Sequence, residues 1–244
     1  MRYTRVLVKL SGGAIAGDKE WGFSPEALNH IADEVLKLHD LGVQVSVVVG
    51  GGNIFRGELG ERWGIERAEA DNIGMIATIA NSLMLRGVLK SRGQADVRVM
   101  TAIPINSVAE PFIRLRAIRH LEHGHIVILA GGTGNPYVTT DYPSVQRALE
   151  LQAEAILAAK NGIDGIYTAD PRREATAQRY QKINYDTVLQ KNLRALDQSA
   201  VLLARDHGLP IHVFDFDTPG SMGRICNGED VGTLISSSGD VLAE

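Results

Sequence analysis

The chain has 244 residues, which suits one large α/β domain or at most two small ones. Hydrophobic residues make up 44% and charged residues 22%, as is ordinary for a globular protein with a proper core. The formal net charge is −4 and no basic block occurs, so we expect no nucleic-acid partner. The single cysteine, Cys226, excludes an intrachain disulfide and a cysteine-based metal cluster.

The N-terminal residues predict neither export nor membrane insertion. Residues 1–5 lead straight into a strand-like segment, without the apolar stretch and cleavage site of a signal peptide. No segment has the ~18 consecutive apolar residues that a membrane helix needs. We therefore expect a cytoplasmic protein with no membrane partner.

Strand-like and helix-like segments alternate along the chain. Residues 6–8 predict a short buried strand, and Ser24-Pro25 predicts the start of a helix that ends near Gly42. Residues 43–49 lack polar alternation, which is typical of a strand buried on both faces of a parallel sheet. The later segments predict helices at 72–92, 111–124, 141–159 and 193–208, and strands at 97–103, 126–130, 163–167, 210–216 and 231–235.

This alternation indicates a mostly parallel sheet between two helix layers, a three-layer αβα sandwich. Right-handed crossovers would place the loops that follow the strands at one edge of the sheet. No linker, repeat or composition shift divides the chain, so we expect a single domain over residues 1–244. The tail at 236–239 is expected to fray.

Three glycine clusters, at 12–13, 50–52 and 131–134, directly follow predicted strands. Ligands of open α/β sheets bind at the carboxyl ends of strands, where glycine lets backbone N–H groups approach phosphate oxygens. One cluster alone would be explained by a tight turn, but three at equivalent positions favour a ligand site. No Gly-Lys dipeptide occurs, which excludes a P-loop, and Gly132-x-Gly134 lacks the third glycine of a dinucleotide fingerprint.

Four charged residues near these clusters are candidates for chemistry. Lys9 ends the first strand, where it either stabilises a transferring phosphoryl group or simply emerges into solvent. Arg56 either meets a second phosphate or is a solvated loop arginine. Asp141 either caps a helix or orients a catalytic lysine, and Asp71, which heads another predicted helix, has the same capping alternative.

Two polar loops complete the set of candidates. Residues 133–141 are rich in small hydrogen-bonding side chains before a helix, an arrangement suited to an anion. Residues 164–171 predict a strand that runs into an Asp-Pro turn. There Tyr167 would pack against a base and Asp170 would accept from a ribose hydroxyl, or the segment is a plain turn with an incidental tyrosine.

Segments 50–57, 133–141, 164–171 and 204–207 together resemble, in order, the motifs of the bacterial uridylate kinases of the amino-acid kinase superfamily. The resemblance extends from Lys9 to Ile235. It implies an ATP:UMP phosphotransferase that forms UDP for pyrimidine nucleotide synthesis, with Mg²⁺ arriving on ATP. It also implies an acceptor part that is mainly N-terminal and an ATP part that is mainly C-terminal.

The resemblance also implies roles for individual residues. The catalytic residues would be Lys9, Asp141 and Lys160. ATP would contact Lys9, Leu10, Ser11, Gly12, Gly52, Arg56, Asn161, Tyr167 and Asp170. UMP would contact Gly51, Asp71, Thr133, Gly134, Asn135, Pro136, Tyr137, Val138, Thr139 and Thr140.

Regulation is implied in the same way. The resemblance implies a homohexamer that is activated by GTP and inhibited by UTP. The region for GTP activation would be Gly17, Asp18, Lys19, Glu20, Trp21 and Gly22. This sequence departs from the family there in length and content, and Gly13 stands where the family usually has glutamate.

Three other interpretations stay open at this point. A kinase of the same superfamily that acts on a carboxylate or carbamate is disfavoured by segment 133–140. A catalytically silent nucleotide sensor is disfavoured by the presence of Lys9 and Asp141. A dehydrogenase is disfavoured by the missing dinucleotide fingerprint.

Overall fold

The computed structural model describes residues 1–174, 176–193 and 195–243. Its helices are α1 Gly12–Ala16, α2 Pro25–Asp40, α3 Gly57–Arg62, α4 Arg67–Arg92, α5 Arg114–Glu122, α6 Asp141–Glu150, α7 Tyr185–Gln190, α8 Gln198–Asp206 and α9 Ser221–Asn227. Its strands are β1 Arg5–Leu10, β2 Gln44–Val49, β3 Val97–Thr101, β4 Glu110–Pro111, β5 Ile126–Ala130, β6 Ala155–Lys160, β7 Tyr180–Asn184, β8 Ile211–Asp215, β9 Thr233–Ser236 and β10 Val241–Leu242.

The strands form one sheet in the order β10-β7-β9-β8-β6-β1-β2-β5-β3-β4. Within the described residues, neighbouring strands are parallel except where β9 pairs with β8 and β10 pairs with β7. Helices α2, α4 and α9 pack on one face of the sheet, and α5, α6, α7 and α8 pack on the other. The predicted three-layer αβα sandwich with a mostly parallel sheet is confirmed.

Strand β1 shows why the central strands read as unbroken apolar runs. Val6 and Val8 pack into one core layer while Leu7 packs into the other, and all three are fully buried. Burial of each such side chain contributes about 1.5–3 kcal/mol, so polar residues are disfavoured on both faces. Lys9 breaks this pattern near the carboxyl end of the strand, and is itself largely buried.

Helix α4 is long and apolar enough, by length and composition alone, to resemble a membrane span. Its residues Leu85 and Leu89 are fully buried in the core layer shared with α2. Ile76 and Met84 are exposed on its other side. The hydropathy of α4 is therefore explained in part by its place in the core.

The predicted helix at 141–159 is wrong, because it joins α6 to strand β6. Helix α6 ends at Glu150, and Gln152 then adopts a left-handed conformation with φ 59°. The chain carries no glycine or proline there to signal the stop, and the alanine-rich run that follows has high helix propensity. Tertiary pairing overrides that propensity, since β6 lies between β1 and β8 and is buried on both sides.

Other predicted boundaries also shift. Helix α4 begins five residues before the predicted residue 72, while α5 begins only at Arg114 because Pro111 pairs with β3. Segment 163–167 forms no strand and makes only an isolated bridge at Tyr167, and α8 begins at Gln198 rather than 193. The tail does not fray at 236–239, since Asn184 donates to the carbonyls of Ser237 and Ser238.

Strand β1 marks the point where the order of the sheet reverses. It pairs with β2 on one side and with β6 on the other, and both pairings are parallel. A crevice opens at such a switch point, outside the carboxyl ends of the strands. The loops that follow β1, β2, β5 and β6 therefore meet at one edge of the sheet.

Candidate active site

The first and second glycine loops touch each other at this edge. A Cβ atom on Gly12 would lie 2.5 Å from the backbone nitrogen of Gly52. The backbone N–H of Gly50 donates to the carbonyl of Leu10 over 3.0 Å. Only glycine allows this approach of the two backbones, which explains why glycine stands at residue 12. The side chain of Leu10 itself is buried in the core.

Lys9 forms an ion pair with Asp141, the first residue of α6. The distance from Lys9 Nζ to Asp141 Oδ1 is 2.6 Å, and the side chains are 8% and 16% exposed. The second carboxylate oxygen of Asp141 accepts the backbone N–H of Asp197 over 3.0 Å. Burial opposes ionisation of Asp141, but the attraction of Lys9 and its hydrogen bond hold the pKa of the carboxyl below its ordinary value.

Lys160, at the end of β6, belongs to the same charge cluster. Burial and the positive charge of Lys9 hold the pKa of Lys160 below the ordinary lysine value, while Asp141 and Asp197 act in the opposite direction. The three residues expected to be catalytic are thus close enough to influence one another. Lowered lysine pKa values of this kind often mark functional sites.

One cavity, of about 360 Å³, opens beside this cluster, and we call it the acceptor cavity. It contains a large part of the set expected around UMP. Its walls include Gly51, Gly52, Arg56, Asp71, Thr133, Asn135, Val138, Thr139 and Thr140. Gly134, Pro136 and Tyr137 lie in the same loop but are not among the residues that line the cavity. Gly52 and Arg56, which were expected on the ATP side, border the acceptor cavity instead.

Asp71 does not head a helix, so the capping explanation for it is wrong. It lies about one turn inside α4, which begins at Arg67. Its carboxylate accepts the backbone N–H of Tyr137 over 2.7 Å and the Nε of Arg67 over 2.9 Å. Tyr137 has φ 66°, a conformation that is uncommon outside glycine, and such strain is typical of functional loops.

A second cavity, of about 650 Å³, has Lys160 in its wall, and we call it the donor cavity after the ATP contacts expected there. Tyr167 and Asp170, which were expected around ATP, line it together with Lys160, which was expected to be catalytic. The hydroxyl of Tyr167 donates to Asp164 over 2.8 Å. Asp170 begins the predicted Asp-Pro turn, in which Arg173 N–H donates to its carbonyl.

Ser11 and Asn161 line a third cavity, of about 400 Å³, that shares Lys160 with the donor cavity. The side chain of Ser11 accepts the backbone N–H of Ala14 and begins α1. Asn161 Nδ2 donates to Asp217 over 3.0 Å. The residues expected to contact ATP are therefore distributed over all three cavities, the charge cluster and the first glycine loop, with the side chain of Leu10 in the core.

The segment from Gly17 to Gly22 packs against the loop that follows β2. The Arg56 guanidinium lies over the ring of Trp21, 4.9 Å from the ring centroid. Arg56 Nε also donates to the carbonyl of Gly52 over 3.1 Å. Arg56 thus joins this segment to the edge of the acceptor cavity.

Asp197, which the sequence patterns did not indicate, also belongs to the charge cluster. It precedes α8, accepts a hydrogen bond from the hydroxyl of Thr139, and donates its N–H to Asp141. An aspartate before a helix is a recognisable N-cap signal. Because the helix was predicted to begin at residue 193, Asp197 was assigned to its interior and not to its N-cap. Residue 194 lies outside the described residues.

The family model for the amino acid kinase family matches residues 4–215. This chain belongs to the amino acid kinase family. The expected resemblance is confirmed, and the site described above lies where members of an α/β family bind their ligands, at the carboxyl ends of the strands.

Similar proteins narrow the comparison within the family. The chain is 56% identical to a uridylate kinase of Frankia alni, over 98% of this chain and 93% of the relative. It is 47% identical to a uridylate kinase of Limosilactobacillus reuteri, over 96% and 98% of the two chains. The UMP kinase structure from Bacillus anthracis matches with a TM-score of 0.98 and 58% identity over 100% of both chains. That from Ureaplasma parvum matches with a TM-score of 0.90 and 31% identity over 97% and 100%.

Proposed function

We propose that this chain is a UMP kinase, which transfers a phosphoryl group from ATP to UMP and releases UDP and ADP. The Lys9–Asp141 ion pair, next to Lys160, carries this proposal. Thr140 lines the acceptor cavity directly before Asp141, and Lys160 lines the donor cavity. The charge cluster therefore adjoins the acceptor cavity through Thr140 in the chain and contributes Lys160 to the donor cavity.

The proposed reaction needs no general base. The phosphate of UMP is already an anionic nucleophile at neutral pH, because its second pKa is about 6. The protein has to bring two polyanions together, align them in line, and neutralise the charge that spreads over the moving phosphoryl group. Lys9 and Lys160 supply positive charge there, and Asp141 orients Lys9 while staying ionised.

The acceptor is proposed to lie against Asp71 and the loop 133–140, with its phosphate at Gly51. ATP is proposed to follow Gly12 and Lys160 into the donor cavity, with its base near Tyr167 and its ribose near Asp170. Within one domain, the acceptor cavity then draws largely on residues 51–78 and the donor cavity on residues 160–195. Loop 132–143 also contributes to the acceptor side, so the division between the halves is not strict.

Kinases that use ATP generally need a divalent metal, and we propose Mg²⁺. Among the described residues no group of three or more His, Cys, Asp or Glu side chains is arranged to hold a metal ion. We propose that the cation is bound mainly by substrate phosphates and water, as is usual for Mg²⁺. The metal would neutralise phosphate charge, and Lys9 and Lys160 would complete that neutralisation.

Regulation, assembly and location follow the same proposal. We propose GTP activation through residues 17–22, inhibition by UTP, a homohexamer, and a cytoplasmic protein without nucleic-acid or membrane partners. The contact between Trp21 and Arg56 supports a link from residues 17–22 to the site. Exposed Ile76 and Met84 on α4 offer an apolar face to another copy of the chain.

A substrate panel tests the proposed activity. Release of ADP from Mg-ATP is measured with UMP, CMP, dUMP, aspartate and carbamate as acceptors. We expect release with UMP, together with formation of UDP. Turnover of aspartate or carbamate instead would favour another kinase of the family, and nucleotide binding without any turnover would favour a silent sensor.

A further inference from the structure

Two buried asparagines form a reciprocal amide pair beneath the glycine loops. Asn53 directly follows the loop 50–52, and Asn81 lies in the middle of α4. Asn81 Nδ2 donates to Asn53 Oδ1 over 2.6 Å, and Asn53 Nδ2 donates to Asn81 Oδ1 over 3.1 Å. Their exposed fractions are 1% and 0%, so water does not compete for these bonds.

The remaining amide hydrogens of the pair bind the backbone of two separate segments. Asn81 Nδ2 donates to the carbonyl of Gly50 over 2.7 Å. Asn53 Nδ2 donates to the carbonyl of Gly22 over 2.9 Å, and the N–H of Gly22 donates to the carbonyl of Asn53 over 2.8 Å. One pair of side chains therefore ties α4 to the second glycine loop and to the end of segment 17–22.

The pair also reaches the first glycine loop. A Cβ atom on Gly12 would lie only 2.8 Å from Asn53 Oδ1 and 2.9 Å from Asn53 N. Asn53 thus fills the space directly against Gly12, and a shift of Asn53 would change how the two glycine loops face each other.

The hydrogen bonding of the pair is complete. Each amide group has two hydrogens, and all four find an acceptor in Asn53, Asn81, Gly50 or Gly22. Displacing any member would leave a buried polar group without a partner, which is costly in a region of low dielectric. An apolar residue would pack in this helix as well, as Ile79 and Leu85 do. The polar pair therefore fixes geometry that apolar packing would leave free.

We propose that Asn53 and Asn81 are positioning residues for phosphoryl transfer. They hold the loop 50–52 in register with Gly12, and they couple the position of segment 17–22 to both loops. This inference rests on the proposed function for its effect on catalysis, but the coupling between the segments can be measured without any substrate.

The kinetic test compares Asn81→Ala and Asn81→Asp with the matched control Ser82→Ala. Ser82 is the next residue of α4 and is also fully buried, but its hydroxyl donates only to the carbonyl of Thr78 in the same helix. A misplacement of about 1 Å can cost about 100-fold in rate, so we expect a loss of that order in kcat/KM for both Asn81 variants. Asn81→Asp keeps the shape but loses both donors, and it should lose as much as Asn81→Ala. The Ser82→Ala protein should keep nearly full activity.

The second measurement is backbone hydrogen exchange in the protein without nucleotides. Asn81→Ala and Asn53→Ser should accelerate exchange at Gly22 and in residues 50–53, and Ser82→Ala should not. Asn53→Ser also serves as the second variant if Asn81→Ala does not fold. Unchanged exchange at Gly22 in folded Asn53→Ser protein would overturn the proposed coupling.

The two failures are distinguishable. If the unsubstituted protein forms no UDP, the proposed function fails, and hydrogen exchange still decides whether the pair couples the segments. If the unsubstituted protein is an active UMP kinase and the Asn81 variants are as active as Ser82→Ala, the positioning role is wrong and the function stands.

Discussion

Lys9 Nζ and Asp141 Oδ1 are 2.6 Å apart, and both side chains are largely buried. The lysine belongs to the central strand β1 and the aspartate to the first turn of α6, so the pair joins two elements across the crevice. The other oxygen of Asp141 is held by the N–H of Asp197, which fixes the plane of the carboxylate. Removing one partner would leave the other charge buried and unpaired, at a cost of about 3–5 kcal/mol.

Asp141→Asn should therefore lower both stability and turnover. The amide keeps the shape but loses the charge that orients and neutralises Lys9. We expect the free energy of unfolding to fall by about 3 kcal/mol and kcat by about 100-fold. Urea unfolding and UDP formation measure the two effects. Asp206→Asn, at the exposed end of α8, is the control and should change stability by less than about 1 kcal/mol. A kcat of Asp141→Asn equal to that of the unsubstituted protein would contradict the role of the pair.

Asp71→Ala should weaken binding of the acceptor without affecting the donor. The change frees the N–H of Tyr137 and releases the left-handed conformation that the carboxylate helps to hold. We expect KM for UMP to rise by about tenfold or more while KM for ATP stays unchanged, since loss of a charged hydrogen bond costs about 1.5–3 kcal/mol. Glu69→Ala removes an exposed carboxylate from the same helix and should change neither constant. An equal rise in both KM values would place Asp71 outside the acceptor site.

Sequence patterns predicted the features that depend on local chemistry. The β-branched runs became buried strands, and the glycine clusters appeared at the carboxyl ends of β1, β2 and β5, because a parallel sheet and a close approach of backbones leave little choice of residue. Features that tertiary pairing decides were not predictable. Strand β6, which carries Lys160, reads as a continuation of α6 because Gln152 replaces the usual glycine at the turn.

Asp197 and the asparagine pair illustrate the same limit. Asp197 lies far along the chain from Asp141, and only the packing of α8 against α6 brings them together. Asn81 reads from the sequence as one polar residue in an apolar helix. Its partners Asn53 and Gly50 belong to a loop that follows another element, so no local pattern connects them.

Lys160 should set an alkaline limit on activity. Burial and the charge of Lys9 lower its pKa below the ordinary 10.5, so the protonated lysine is lost at a lower pH than for a solvated lysine. The profile of kcat/KM for ATP reports the free enzyme, and its fall on the alkaline side should occur at a pH below 10.5. In Lys160→Arg the fall should move to higher pH, because arginine stays charged. Lys37 is an exposed lysine that pairs with Glu34, and the control substitution Lys37→Arg should leave the profile unchanged. Identical alkaline limbs in the unsubstituted and Lys160→Arg proteins would contradict this role.

His212 should make stability depend on pH. Burial, aided by the charge of Arg2, lowers its pKa from 6.5 to about 3, and its Nε2 lies 3.0 Å from the hydroxyl of Tyr3. Between these pKa values the unfolded chain binds the proton and the folded chain does not, so stability falls as the pH drops below about 6.5. The loss attributable to His212 is about 2 kcal/mol at pH 5.

Replacing the histidine isolates this contribution. His212→Gln should reduce the difference in unfolding free energy between pH 7 and pH 5 by about 2 kcal/mol, as measured by urea unfolding. His207→Gln, at an exposed position after α8, should leave that difference nearly unchanged. An undiminished pH dependence in His212→Gln would show that the buried imidazole does not control it.

We propose that Lys9 stabilises a phosphoryl group in transit between ATP and UMP. The most direct test of this proposal is kcat for UDP formation by Lys9→Ala, with circular dichroism and thermal unfolding to show that the fold is intact. We expect kcat to fall by about 10³-fold or more while the protein stays folded. Lys37→Ala is the matched control and should keep normal turnover. A folded Lys9→Ala protein with near-normal turnover would show that Lys9 does not stabilise the moving phosphoryl group.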